Sequence, residues 1–153
     1  MLFEKINQDI KTAFKKGDDF YVGVLRMMIA AFKNKEIEKK GKGEKPELSD
    51  EEIIEILSKE AKKRKEATQI YSNAGRKDLA DKELKEVLII QNYLPAQAGF
   101  EEIEKIAAEA IEETNALSYK DFGRAMAAAV KKLKGRAEPA SIAELIKKKL
   151  RDE

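Results

Sequence analysis

Apolar residues recur along this chain at three- and four-residue spacings from Leu2 to Leu150, and nowhere do apolar and polar residues alternate long enough to make a strand. That regularity restricts the chain to helices packed on helices, so the expected fold class is all-α. Three prolines, eight glycines and 39% charged residues, against about 25% in a typical domain, fit long helices with solvated faces. A chain of 153 residues can hide roughly 68–70% of its unfolded surface, enough for one domain or two small ones.

The punctuation sets the element order. Leu2, Phe3, Ile6, Ile10, Ala13 and Phe14 define a first amphipathic helix that stops at Gly17, and Asp18 or Asp19 can cap the next. This second helix carries Val24, Leu25, Met28, Ile29 and Phe32, then runs on through a polar end to Gly41 that should project past the core. After the Gly41 to Leu48 loop, Ser49 and Glu52 form a capping box for a third helix that ends near Asn73, with Gly75 as its stop. Asp78 is expected to cap a fourth helix bearing Leu79, Leu84, Val87, Leu88 and Ile90, which Pro95 closes. Three more helices follow: an acidic one with Ile103, Ile106, Ala107, Ala110 and Ile111; a basic, alanine-rich one after Ser118 and Asp121; and a last one with Ile142, Leu145, Ile146 and Leu150 on one face. The expected organisation is an N-terminal domain of about four helices, residues 1–95, and a small three-helix domain, residues 96–153.

Residue types narrow the chemistry. With no Cys and no His, thiol nucleophiles, disulfides, Cys/His zinc sites and histidine-based acid–base mechanisms are excluded. No phosphate loop is present: Gly41-Lys42-Gly43 lacks the spacing and the following Ser or Thr. Neighbouring acids such as Glu51 and Glu52, or Glu101 and Glu102, point in different directions from a helix and suit its dipole better than a shared acid–base site. We therefore expect no catalytic residues, no metal and no cofactor. No apolar run reaches the ~18 residues of a membrane span or resembles a signal peptide, so the expectation is a cytoplasmic protein without a membrane partner.

Charge is unevenly placed. Between Lys120 and Arg151 ten basic residues face three acidic ones, an excess of seven that leaves the rest of the chain at −5 within a net +2. Lys131, Lys132, Lys134 and Arg136 surround Gly135 at a helix junction, and Lys147, Lys148, Lys149 and Arg151 follow on the last helix. Such cations can position RNA phosphates, or they can be a solvated turn and helix face. Tyr119 and Phe122 are the aromatics nearby, and no stacking platform is evident from their positions alone. In the first domain Lys59 to Glu66 is densely charged; there Glu60 and Arg64 can simply pair at i,i+4, or Arg64 can contact a partner. Arg76 and Asp78, close after Tyr71, can tie a helix corner or be displayed, and Lys33, Asn34 and Glu36 lie on the polar end of the second helix.

Particular segments resemble a known family. Leu25 to Ile37 (LRMMIAAFKNKEI), Lys63 to Ala80 with its Tyr-x-x-Ala-Gly-Arg-x-Asp-Leu core, and Tyr93-Leu94-Pro95-Ala96-Gln97 are similar to signature segments of the GatB/YqeY family of small bacterial proteins, over nearly the whole chain. The resemblance implies a helical N-terminal domain and a C-terminal domain similar to the tail of GatB, a component of the tRNA-dependent Asp/Glu amidotransferase whose tail is thought to contact tRNA. Phe122 to Met126 and Lys134 to Pro139 match the tail pattern, except that Phe122 replaces a common Met and Glu138-Pro139 replaces the Asp-Gly of stand-alone members. The amidotransferase's catalytic module and glutaminase are absent. A carbon–nitrogen ligase activity with glutamine as amide donor would then be inherited in name only, and autonomous catalysis is not expected. The functional expectation is a noncatalytic accessory factor binding tRNA or other structured RNA, the alternative being an adaptor that holds a tRNA-processing or aminoacylation protein through the first domain.

Overall fold

A computed structural model describes residues 1–151, Arg151 by its backbone alone. Among them are seven α-helices and no strand: α1 Leu2–Lys16, α2 Asp19–Gly41, α3 Asp50–Asn73, α4 Lys77–Gln91, α5 Phe100–Glu113, α6 Phe122–Leu133 and α7 Pro139–Arg151, with a 3-10 turn at Tyr119–Asp121. The all-α expectation holds. The chain divides into two compact units, Met1–Leu94 and a second that begins at Pro95.

The first unit is built on α1 to α4. Ile6, Leu25, Met28, Phe32, Ile53, Leu57 and Ile90 are almost wholly buried in one cluster, which Tyr93 completes from the end of the unit. The helix ends follow local chemistry. Asp18 accepts the Tyr21 N–H at 3.0 Å, and Ser49 and Glu52 cap each other's backbone N–H reciprocally. Gly75 turns the chain between α3 and α4 at φ 71°, a left-handed conformation in which a side chain is strained.

Three expectations are corrected here. The polar end of α2 does not simply project: the Lys39 ammonium returns to the Glu47 carbonyl at 2.9 Å and to both Glu52 oxygens at 2.8 and 3.1 Å. That contact, with the Ser49 N–H, holds the Glu52 carboxyl below its ordinary range. Asp78 is not the cap of α4, because Arg76 occupies that position and Asp78 stands in the first turn, where a carboxylate favours the helix dipole. On α4, Ala80, Val87 and Ile90 form the buried stripe, so Leu84 and Leu88 fall on its flank and stay 47% and 55% exposed.

The second unit packs α5, α6 and α7. Its core is unusually small-sided: Ala107, Ala110, Ala125 and Ala129 are fully buried beside Leu133, Ile142 and Ile146. Alanines at a helix contact let backbones approach closely, which fits short helices to a small unit.

Candidate nucleic-acid interface

Two arrangements in the first unit decide what its polar residues are free to do. Arg64 is 7% exposed, and its Nε donates to Glu86 at 2.9 Å while one terminal nitrogen donates to Glu60 at 2.5 Å and the other meets the Met27 sulfur at 2.6 Å. Burial opposes its charge, but the hydrogen bonds to Glu60 and Glu86 outweigh that and hold its pKa above the ordinary value. Of the two readings of Arg64, the i,i+4 pair with Glu60 is present, and its burial makes the guanidinium an internal tie between α2, α3 and α4 instead of an exposed partner contact. The sequence carried the signal, since Leu57, Ala61, Arg64 and Thr68 share one helix face and put the guanidinium on the buried side.

The second arrangement closes the unit. Tyr93 donates its hydroxyl proton to the Asp9 carboxylate at 2.6 Å, so Tyr21, 2.9 Å away, must donate to Tyr93 in turn. Burial, then the bond to Asp9, raises the Tyr93 hydroxyl far above the ordinary phenolic range. The unfolded chain would release that proton near pH 10 and the folded chain holds it, so this contribution to stability is complete below about pH 10 and is lost as pH rises beyond it. An alkaline titration followed by phenolate absorbance should show a fraction that ionises only together with loss of helix. In Tyr93→Phe that late fraction should disappear; its persistence would place the late proton elsewhere.

The other candidate partner contacts are dispersed. Lys33 and Asn34 are exposed on α2 and Glu36 is half-buried, as is Tyr71 on α3. At the α3–α4 corner Arg76 forks onto Asp78, Nε to Oδ1 at 3.2 Å and Nη2 to Oδ2 at 3.1 Å, and both remain exposed.

In the second unit the cations fall into two groups. Helix α5 is acidic and claims several: Lys132 bonds Glu113 at 2.5 Å and lies 3.7 Å from Glu109, and Lys149 lies 3.8 Å from Glu104. Arg136 bonds Glu102 at 2.8 Å and the Ala96 carbonyl at 3.0 Å. These contacts fasten α5 to the basic helices, and the bond to Glu113 raises the Lys132 pKa. Lys134 is also engaged. The turn itself is fixed by Gly135 at φ 74°, whose carbonyl accepts from Gln97 at 2.9 Å, and by the Arg136 carbonyl, which accepts the Ala98 N–H at 2.7 Å.

The remaining group is open. Lys131, Lys147 and Lys148 are exposed and make no ion pair among the described residues, and the Lys147 ammonium lies 5.6 Å from the centre of the Phe122 ring. The side chain of Arg151 lies outside the described residues. Phe122 and Lys131 are nine residues apart on α6, about 14 Å of helix, so the free cations are spread along the α6–α7 pair rather than gathered into one pocket. Sequence reasoning missed one feature here: Tyr119 and Phe122 stack, ring centroids 5.7 Å apart with 20° between planes. Their three-residue spacing across the junction of the 3-10 turn and α6 is the signal for it. No group of three or more acidic side chains is placed to hold a metal among the described residues. Nor is any helix there long and apolar enough to cross a membrane.

Among known protein families, residues 3–150 match the one described as Yqey-like protein. The chain belongs to the YqeY-like family. Its relatives include an uncharacterized protein of Schizosaccharomyces pombe, 38% identical over 42% of this chain and 52% of the relative. Others carry the name altered inheritance of mitochondria protein 41, mitochondrial: that of Lachancea thermotolerans is 32% identical over 58% of this chain and 46% of its own, and that of Pyrenophora tritici-repentis 25% identical over 99% and 80%. The YqeY-like chain thus spans about half the length of the first two relatives. All three of these relatives are fungal.

Proposed function

We propose that this YqeY-like protein is a noncatalytic accessory factor that binds tRNA or another structured RNA through its second unit, a unit similar in role to the GatB tail of the amidotransferase. The observation that supports this reading is the set of exposed lysines on α6 and α7, Lys131, Lys147 and Lys148, left without acidic partners among the described residues although α5 neutralises their neighbours. Solvated cations spread along two helices suit a phosphate backbone, which carries charge at regular intervals, better than a compact anion. The paired cations Lys132, Arg136 and Lys149 then hold the scaffold and add to the field at longer range. Two of the three fungal relatives carry mitochondria in their names, and the cytoplasm and a mitochondrial matrix both offer RNA of this kind.

Titration into tRNA at several salt concentrations tests this. Four to six phosphate contacts predict a log–log slope of about −3 to −5. Lys131→Glu/Lys148→Glu should weaken binding at least about tenfold and flatten the slope by about one to two. A flat salt response, or unchanged binding by the double variant, would overturn the reading. The alternative is an adaptor that holds a protein of tRNA processing or aminoacylation through the first unit. It draws on Leu84 and Leu88, exposed one turn apart on α4, and on the exposed Arg76 at the corner. Capture of such a protein that depends on Arg76 and not on Lys131 would favour it.

A further inference from the structure

We propose that Tyr119 and Phe122 form a stacking platform for one unpaired base of a bound RNA, an inference that rests on the RNA-binding reading and gives it a point of specificity. The two rings lie in near-parallel planes, and Tyr119 is 53% exposed, whereas Phe122 packs against the core of the unit. Phe122 therefore anchors the stack and Tyr119 ends it in solvent. A nucleobase is a flat π-system that can extend such a stack, and it does so with little dependence on its identity.

The platform is held in place before any ligand arrives. Asp121 accepts the Leu117 and Ser118 N–H groups at 3.0 and 3.3 Å and the Arg124 guanidinium at 2.5 Å, which fixes the turn that carries Tyr119. These bonds, the one to the Leu117 N–H first, hold the Asp121 carboxyl below its ordinary range, and they leave its charge compensated rather than set against phosphate. Cations flank the rings: Lys147 lies 5.6 Å from the Phe122 ring centre, and Lys120 is exposed next to Tyr119 in sequence. A base on Tyr119 would bring its own phosphates within reach of these lysines. A duplex keeps its bases stacked inside, so it can use the lysines but not the ring.

The test compares two RNA hairpins closed by the same loop, one with an uninterrupted stem and one whose stem carries a single bulged 2-aminopurine, against the full chain, with adenosine monophosphate as a third ligand. The bulged hairpin should bind about fivefold to 100-fold more tightly than the paired one, with quenching of the 2-aminopurine fluorescence. Tyr119→Ala should abolish that preference and the quenching while leaving the salt slope intact, and Tyr119→Phe should retain both. Equal binding of the two hairpins by the unaltered protein, or a preference that survives Tyr119→Ala, would overturn the platform and leave the lysine reading standing. Absence of binding to either hairpin at low salt would overturn both. Adenosine monophosphate binding as tightly as the bulged hairpin would instead assign the rings to a free nucleotide, also against the proposal.

Discussion

Arg64→Ala should cost the first unit about 3–5 kcal/mol, a large share of the roughly 5–15 kcal/mol that holds a typical domain folded. The loss comes from what remains. Glu86 has a side chain only 12% exposed and Glu60 one 26% exposed, and both would be left charged and unpaired between helices. Urea unfolding followed by helix content should show the drop. Because the cost lies in the orphaned carboxylates, removing the charges together should be far milder: Arg64→Met/Glu60→Gln/Glu86→Leu should recover to within about 1 kcal/mol of the parent chain, since well-packed neutral groups often replace a buried ion network without loss. A single variant that loses less than about 1 kcal/mol would mean that water reaches the network and the burial of Arg64 is not retained in solution.

Ala129→Leu is the second large effect, confined to the other unit. Ala129 has no exposed surface, and its neighbours Ala107, Ala110 and Ala125 have none either. Extra carbons there must push α6 away from its neighbours or force strained rotamers, at about 1–3 kcal/mol and more where the backbone cannot yield. In a unit of roughly 60 residues, which buries proportionally less surface than a larger domain, that is a serious fraction of stability. Ala127→Leu is the matched control, since Ala127 is exposed on the same helix and alanine and leucine differ little in helix propensity. Equal loss in the two variants would show that the helix, not the packing, is at fault.

What could be read from the sequence was local. The Ser49 to Glu52 box, the stop before Gly75 and the apolar faces of α5 and α7 depend on residues within a turn or two of each other, and the structure shows each; the face of α1 is shown except at Phe14, which ends the helix 66% exposed. What was misread depended on partners far along the chain. For Arg64 the i,i+4 pair with Glu60 was legible, but not its burial, because Glu86 is 22 residues away and Met27 is 37. The basic turn looked free because the acids that hold Lys132 and Arg136 belong to α5, 19 and 34 residues earlier. Asp78 was given the cap because its type suits one, but Arg76 held that place and used Asp78 as a counter-ion. Charge, once helices pack, is assigned by proximity in space, which composition and periodicity do not report.

The clasp around Arg136 has a consequence for how this unit can travel between proteins. The lead-in residues Ala96, Gln97 and Ala98 are each bonded to the bend between α6 and α7, and Glu102 is bonded to Arg136 at the start of α5. A cut made just before Pro95 severs none of these bonds. The segment thus carries its own latch at the point where it would be spliced, so fusing it behind a different chain would not require the new host to rebuild its first turn.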